Sequence, residues 1–145
     1  MKMTAAEVAS WVDGMLELGR DDMPIEGTSI DSRTLEPGSL FVAIVGPNHD
    51  GHRYVDQALD RGAAGVVVSR PTELKRPAVR IRVSDTTKAL QQLAATVRRQ
   101  AALKVVAITG SMGKTTTKEA TALALGARYR VLKSEKNLNN MYGVP

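Results

Sequence analysis

"ITGSMGKTTTKEA", residues 108–120, reads as a phosphate-binding loop with an unusual spacing. The widespread pattern G-x-x-x-x-G-K-[ST] sets its two glycines five positions apart. Counting back from Gly113 reaches Ile108, and the nearer glycine is Gly110. The surroundings are nevertheless those a phosphate requires. The apolar run "KVVAIT", 104–109, predicts a strand before the loop, and 115–125 predict a helix after it, with Gly126 behind. Gly110 and Gly113 let the loop amides turn toward one point, and the start of the helix adds unpaired N–H groups and a positive dipole end. Lys114 would bring a cation to the outer phosphates, and the Thr115 hydroxyl would suit Mg²⁺. Thr109, Ser111, Met112 and Thr116 complete the expected nucleotide-binding set.

Working outward, the chain alternates strands and helices. Thr4 and Glu7 in "TAAE" form a capping-box signature, followed at helical spacing by Val8, Trp11, Val12 and Met15. "IEGTSI" from Ile25, "SLFVAIVG" at 39–46, "GVVV" at 65–68 and "VRIRV" at 79–83 read as strands, the last with one exposed face. A helix spans 54–61 and stops at Gly62. Asp85 caps a helix striped by Leu90, Leu93, Ala94 and Val97, and "YRVLK", 129–133, predicts a final strand. This order implies an α/β fold with parallel strands. A domain boundary is expected near residue 84, giving units 1–84 and 85–145, the second too small to close its own sheet. The chain therefore reads as the first part of a longer protein, and the unfinished sheet leaves an edge open to self-association.

Charge divides the same way. Residues 1–84 carry 10 Lys/Arg and 12 Asp/Glu, while 85–145 carry 10 and 3. The positive field lies with the loop and suits an anionic ligand. Nucleic acid is disfavoured as a partner because stacking aromatics are nearly absent: Phe41 sits in a core strand, and Tyr129 and Tyr142 stand alone. There is no cysteine, which fits a reducing cytoplasm, and no apolar run approaches the ~20 residues that span a bilayer.

The loop "TGSMGKTT" resembles the ATP loop of the Mur ligases and the related folylpolyglutamate synthases, although Ala107 and Met112 stand where a glycine and an asparagine are frequent. A second resemblance is more specific. D-S-R at 31–33, P-G-x-L-F-V-A at 37–43, Gly46, D-G-H at 50–52 and G-A-A at 62–64 are similar to the Mur ligase N-terminal domain, which holds the UDP end of the substrate. A third, "NLNNMYGVP" at 137–145, resembles the MurF branch, with Lys136 and Met141 departing from its usual residues.

The resemblance implies a small N-terminal substrate domain followed by the opening strand, P-loop and helix of a central ATPase domain. It also implies a cytoplasmic ligase of peptidoglycan synthesis, serving cell wall biogenesis, cell shape and cell division. Such an enzyme uses ATP and Mg²⁺ to activate a carboxylate as an acyl phosphate, and here would join D-alanyl-D-alanine to a UDP-N-acetylmuramoyl-peptide. Lys114 would then be catalytic. Asp31, Ser32, Arg33, Gly46, Asp50, Gly51, His52, Asn137, Asn139 and Asn140 would bind substrate.

In the family, a second metal-binding acid, a carbamylated lysine, the adenine contacts and the amino-acid domain come later in the chain, so this stretch alone is expected to be inactive. Read without the resemblance, D-S-R is a surface turn and D-G-H a helix cap. His49 and His52 have no partner at zinc-ligand spacing. A lone P-loop ATPase would leave 29–68 unexplained.

Overall fold

The structure, a computed structural model, describes residues 2–101 and 103–134. Asn137, Asn139 and Asn140 lie outside the described residues. The chain opens with β1 (Met3–Thr4) and α1 (Ala5–Trp11). The capping box forms as expected: Glu7 N–H donates to Thr4 Oγ1 at 3.2 Å, and Thr4 N–H donates to Glu7 Oε2 at 2.8 Å. The helix stops earlier than its apolar spacing suggests. Asp13 takes φ +50°, and Gly14 N–H closes on Ala9 O at 2.8 Å. Met15 therefore starts a strand, β2 (Met15–Leu18), instead of extending the helix.

The strand expected from Ile25 divides in two. β3 (Pro24–Ile25) pairs antiparallel with β1, and β4 (Gly27–Ser29) joins the main sheet. The run 39–46 also divides, into β5 (Ser39–Val42) and β6 (Val45–Gly46), which forms a hairpin with β7 (His49–Asp50). A 3₁₀ turn at Gly51–Tyr54 leads into α2 (Val55–Asp60), and Gly62 turns the chain at φ +94°. β8 (Gly65–Val68), β9 (Val79–Arg82) and α3 (Thr86–Gln100) follow. Asp85 caps α3, accepting from Thr87 N–H at 2.8 Å and Lys88 N–H at 3.1 Å.

The main sheet has the order β2-β9-β8-β5-β4. Its last four strands are parallel and β2 is antiparallel. Ser29, Phe41, Val66 and Arg80 form one row across it. Side-chain alternation divides the core between two faces. Leu40, Val42, Val67, Val79 and Ile81 face α1 and α3, while Phe41, Ala43, Val66 and Val68 face Leu35 and α2. Each fully buried Val, Leu or Phe contributes roughly 1.5–3 kcal/mol. The first of these cores takes Ala89, Leu90 and Leu93 from α3, beyond the expected boundary at residue 84. The polar face of β9 is half-buried. Arg82 Nε meets Glu17 Oε1 at 2.7 Å, and Arg80 Nε lies 3.0 Å from Glu17 Oε2, an ion pair without hydrogen-bond alignment.

The second half differs. α4 (Lys114–Gly126) forms as expected, because a helix satisfies its backbone within itself, but it buries none of its residues. The expected strands at 104–109 and 129–133 carry no strand pairing. A strand exists only beside a partner strand, and among the described residues no strand pairs with either segment. Val105, Val106, Leu123 and Leu132 are consequently exposed. Lys118 Nζ donates to Ser134 O at 2.8 Å, and Lys133 pairs with Glu119, so α4 holds the segment behind it.

Candidate functional site

The D-S-R segment and the stretch that carries Gly46 and D-G-H converge on one edge, where a third segment that no motif marked joins them. They leave the carboxyl ends of adjacent parallel strands, where α/β sheets present their ligand crevice. Residues 30–33 follow β4, residues 43–52 follow β5, and Ser69 and Arg70 follow β8. The row from Ser29 through Phe41 to Val66 brings these ends level.

The D-S-R segment is a tight turn as well as a rim. Asp31 N–H donates to Ser29 Oγ at 3.1 Å. The Asp31 carboxylate accepts Arg33 N–H and Nε at 2.9 Å each, and Nη2 at 2.7 Å. The Arg33 side chain is 78% exposed. Its hydrogen bonds hold the Asp31 carboxyl below the usual carboxylate range, at about 2. Ser32 is buried, and its hydroxyl donates to Gln57 Oε1 at 2.6 Å. Arg33 is thus aimed outward, while Ser32 locks the turn to α2.

The D-G-H segment is a relay. Asp50 Oδ1 accepts the His52 backbone N–H at 3.0 Å and lies 2.8 Å from His52 Nδ1. Ser69 N–H donates to His52 Nε2 at 3.0 Å, so Nε2 carries the lone pair and Nδ1 the proton given to Asp50. Arg70 Nη2 donates to the other oxygen, Asp50 Oδ2, at 2.5 Å. Burial raises the Asp50 pKa, but hydrogen bonds from His52 and Arg70 outweigh it and hold the group at about 2. Gly51 is glycine for want of room: a Cβ would meet Ala43 C and Ile44 N at 2.7 Å. Gly46 lies in the hairpin opposite His49, whose ring stacks on Tyr54 with centroids 5.2 Å apart.

The phosphate loop has the backbone its glycines permit. Gly110 sits at φ +152° and Gly113 at φ +76°, the latter serving as N-cap of α4. Thr109, Ser111 and Met112 are exposed beside them, with Thr115 and Thr116 on the first turn. Lys114 Nζ folds back to Gly110 O at 2.6 Å, an interaction an incoming phosphate would replace. No group of three His or acidic residues that could hold a metal occurs among the described residues. Thr115 would hold Mg²⁺ through one hydroxyl, the ion otherwise resting on phosphates and water, an arrangement Mg²⁺ favours.

The sequence profile described as "Mur ligase family, catalytic domain" matches residues 24–98. The chain belongs to the Mur ligase family. The profile match in this Mur ligase chain covers the four parallel strands of the main sheet and the rim but stops short of the phosphate loop. The Escherichia coli (strain K12) protein named UDP-N-acetylmuramoyl-tripeptide–D-alanyl-D-alanine ligase is 41% identical over all 145 residues, which span 31% of that protein. The Bacillus subtilis (strain 168) protein of the same name is 40% identical, again over the whole chain and 32% of the relative. The chain thus spans about a third of the curated relatives it matches. A crystal structure of MurF from Acinetobacter baumannii superposes with a TM-score of 0.88 at 36% identity, over 99% of this chain and 32% of that one. MurF ligase from Thermotoga maritima, in complex with ADP, gives 0.71 at 33% identity, over 82% of this chain and 27% of its own.

The rim includes residues that motif reading passed over: Gln57, Ser69, Arg70 and the His49–Tyr54 stack. Arg70 lies 20 positions from Asp50, and only the placement of β8 beside β5 brings the two together. No local signal marks it.

Proposed function

We propose that this chain forms the substrate-holding and opening nucleotide-binding part of an ATP-dependent ligase that adds D-alanyl-D-alanine to UDP-N-acetylmuramoyl-tripeptide through an acyl phosphate. The observation that carries this reading is 41% identity along the whole chain to a relative so named. The geometry supports it: D-S-R and D-G-H meet at one sheet edge, apart in sequence from the loop that precedes α4. Arg33 would contact the UDP-muramyl ligand, for which its fork suits a phosphate. Lys114 and the α4 amides would take the ATP phosphates, with Thr115 toward Mg²⁺. Asp50, Gly51 and His52 would shape the rim, and Asn137, Asn139 and Asn140 would complete the cleft. The parts the family places later are needed for amide formation, so the 145-residue chain should bind without catalysing.

We place the domain boundary after α3, because Ala89, Leu90 and Leu93 belong to the sheet's core. No helix among the described residues is long and apolar enough to cross a membrane, and a cytoplasmic location accords with the chemistry proposed. The exposed Val105, Val106, Leu123 and Leu132 favour self-association, which sedimentation at two concentrations would test.

The test of function is a crossed titration. Arg33→Ala should weaken UDP-N-acetylmuramoyl-tripeptide and leave ATP unchanged, and Lys114→Ala should do the reverse by ~1.5–3 kcal/mol, one charge-assisted contact. If both substitutions act on the same ligand, or neither acts, the two-site reading fails.

A further inference from the structure

We propose that Arg70 is a second guanidinium contact for the diphosphate of the nucleotide-sugar ligand, held in position by Asp50 and His52; the inference rests on the substrate-site reading above. Arg70 follows β8 and Arg33 lies beyond β4, with only β5 between them. Two strand spacings, about 10 Å, separate the ends of β4 and β8. Both arginines carry long side chains, so an extended diphosphate ligand lying across the end of β5 would meet both. The rim beside Arg70 is built up: Tyr54 stacks on His49, and His49 adjoins Asp50, which holds Arg70.

The hold on Arg70 is more elaborate than stability requires. Its side chain is 55% exposed, and an exposed ion pair is typically worth only ~0–1 kcal/mol. Yet Asp50 is itself fixed by the His52 ring, which is 3% exposed and anchored by Ser69 N–H at the end of β8. The backbone is pinned too: Pro71 fixes its own φ, and Thr72 Oγ1 donates to Arg70 O at 3.0 Å. Such an arrangement orients a fork. Arg70 spends one Nη2 donor on Asp50 and keeps others for a ligand. His52, too buried to reach a ligand, becomes a positioning residue. Each arginine here is matched by a carboxylate, so attraction depends on donor placement and not on bulk charge.

The experiment is calorimetric titration of the whole 145-residue chain with UDP-N-acetylmuramoyl-tripeptide, UDP, uridine and inorganic pyrophosphate. Arg70→Ala should weaken the two UDP compounds by about 10-fold or more, the scale of one charge-assisted contact, and leave uridine unchanged. Arg70→Lys should recover part of the loss and also guards against a folding defect in the alanine variant. Asp50→Asn should weaken UDP in the parent and add nothing in Arg70→Ala, the signature of a residue acting through another. Pyrophosphate alone should bind weakly but respond to Arg70→Ala. If UDP binds the parent and Arg70→Ala changes it less than twofold, or weakens uridine equally, the Arg70 assignment is overturned while the site reading stands. If the parent binds no UDP compound, both fall.

Discussion

Gly51→Ala tests whether the rim is built by close backbone approach. The added Cβ would lie 2.7 Å from Ala43 C, 2.7 Å from Ile44 N and 2.8 Å from Ala43 Cα, all backbone atoms that cannot rotate away. Relief demands a shift of roughly 1 Å, and overpacking of this kind costs ~1–3 kcal/mol. The same shift stretches the 2.7 Å bond from Gly51 N–H to Ile44 O, adding ~0.5–1.5 kcal/mol. The expected loss is therefore roughly 2–4 kcal/mol, or on the order of 10–30 °C in Tm for a unit near 100 residues. Because Asp50 and His52 flank the site, UDP-ligand affinity should fall as well. Thermal and urea unfolding read the stability term, with Gly27→Ala as control, since a Cβ there meets only Ser39 side-chain atoms, the nearest at 3.2 Å. A Gly51→Ala chain melting within about 2 °C of its parent would refute the reasoning.

Acid should destabilise the rim in a definite window. Asp31 and Asp50 both have folded pKa values of about 2, below their ordinary 3.8, so their contribution is complete above pH 4 and is lost as pH falls toward 2. Asp50→Asn should flatten part of that decline in a stability–pH series, and an unchanged curve would count against the relay. Leu40→Ala, at a fully buried position, should cost ~2–5 kcal/mol in urea unfolding, whereas Leu123→Ala, at a side chain 82% exposed, should stay within about 0.5 kcal/mol. In hydrogen exchange of the monomer, amides of β5, β8 and β9 should exchange slowest and those of 104–109 and 129–133 fastest. Uniform protection through residue 133 would contradict the unpaired state of those segments.

The sequence by itself determined what depends on neighbours along the chain. Thr4 with Glu7 and Asp85 with Thr87 are caps closed within three residues, and both form as their spacing requires. The buried runs "SLFV" and "GVVV" carry apolar side chains on both faces and become central parallel strands. The loop glycines mark where φ is positive before α4. Read alone, D-S-R is a turn and D-G-H a cap, and both form that way, Asp31 Oδ1 accepting Arg33 N–H and Asp50 Oδ1 accepting His52 N–H.

Tertiary structure alone decided the matters that turn on distant partners. Whether "KVVAIT" is a strand depends on another strand lying beside it, which propensity cannot supply. Met15 left the helix because Asp13 and Gly14 close α1, and β9 then receives residues 15–18 as an edge strand. The burial of Ser32 against Gln57 and of His52 against Ser69 sets which motif residues lock inward and which stay at the surface. Arg70 entered the site only through the register of β8 on β5, because contacts across 20 residues follow from how the sheet is ordered and leave no mark on local spacing.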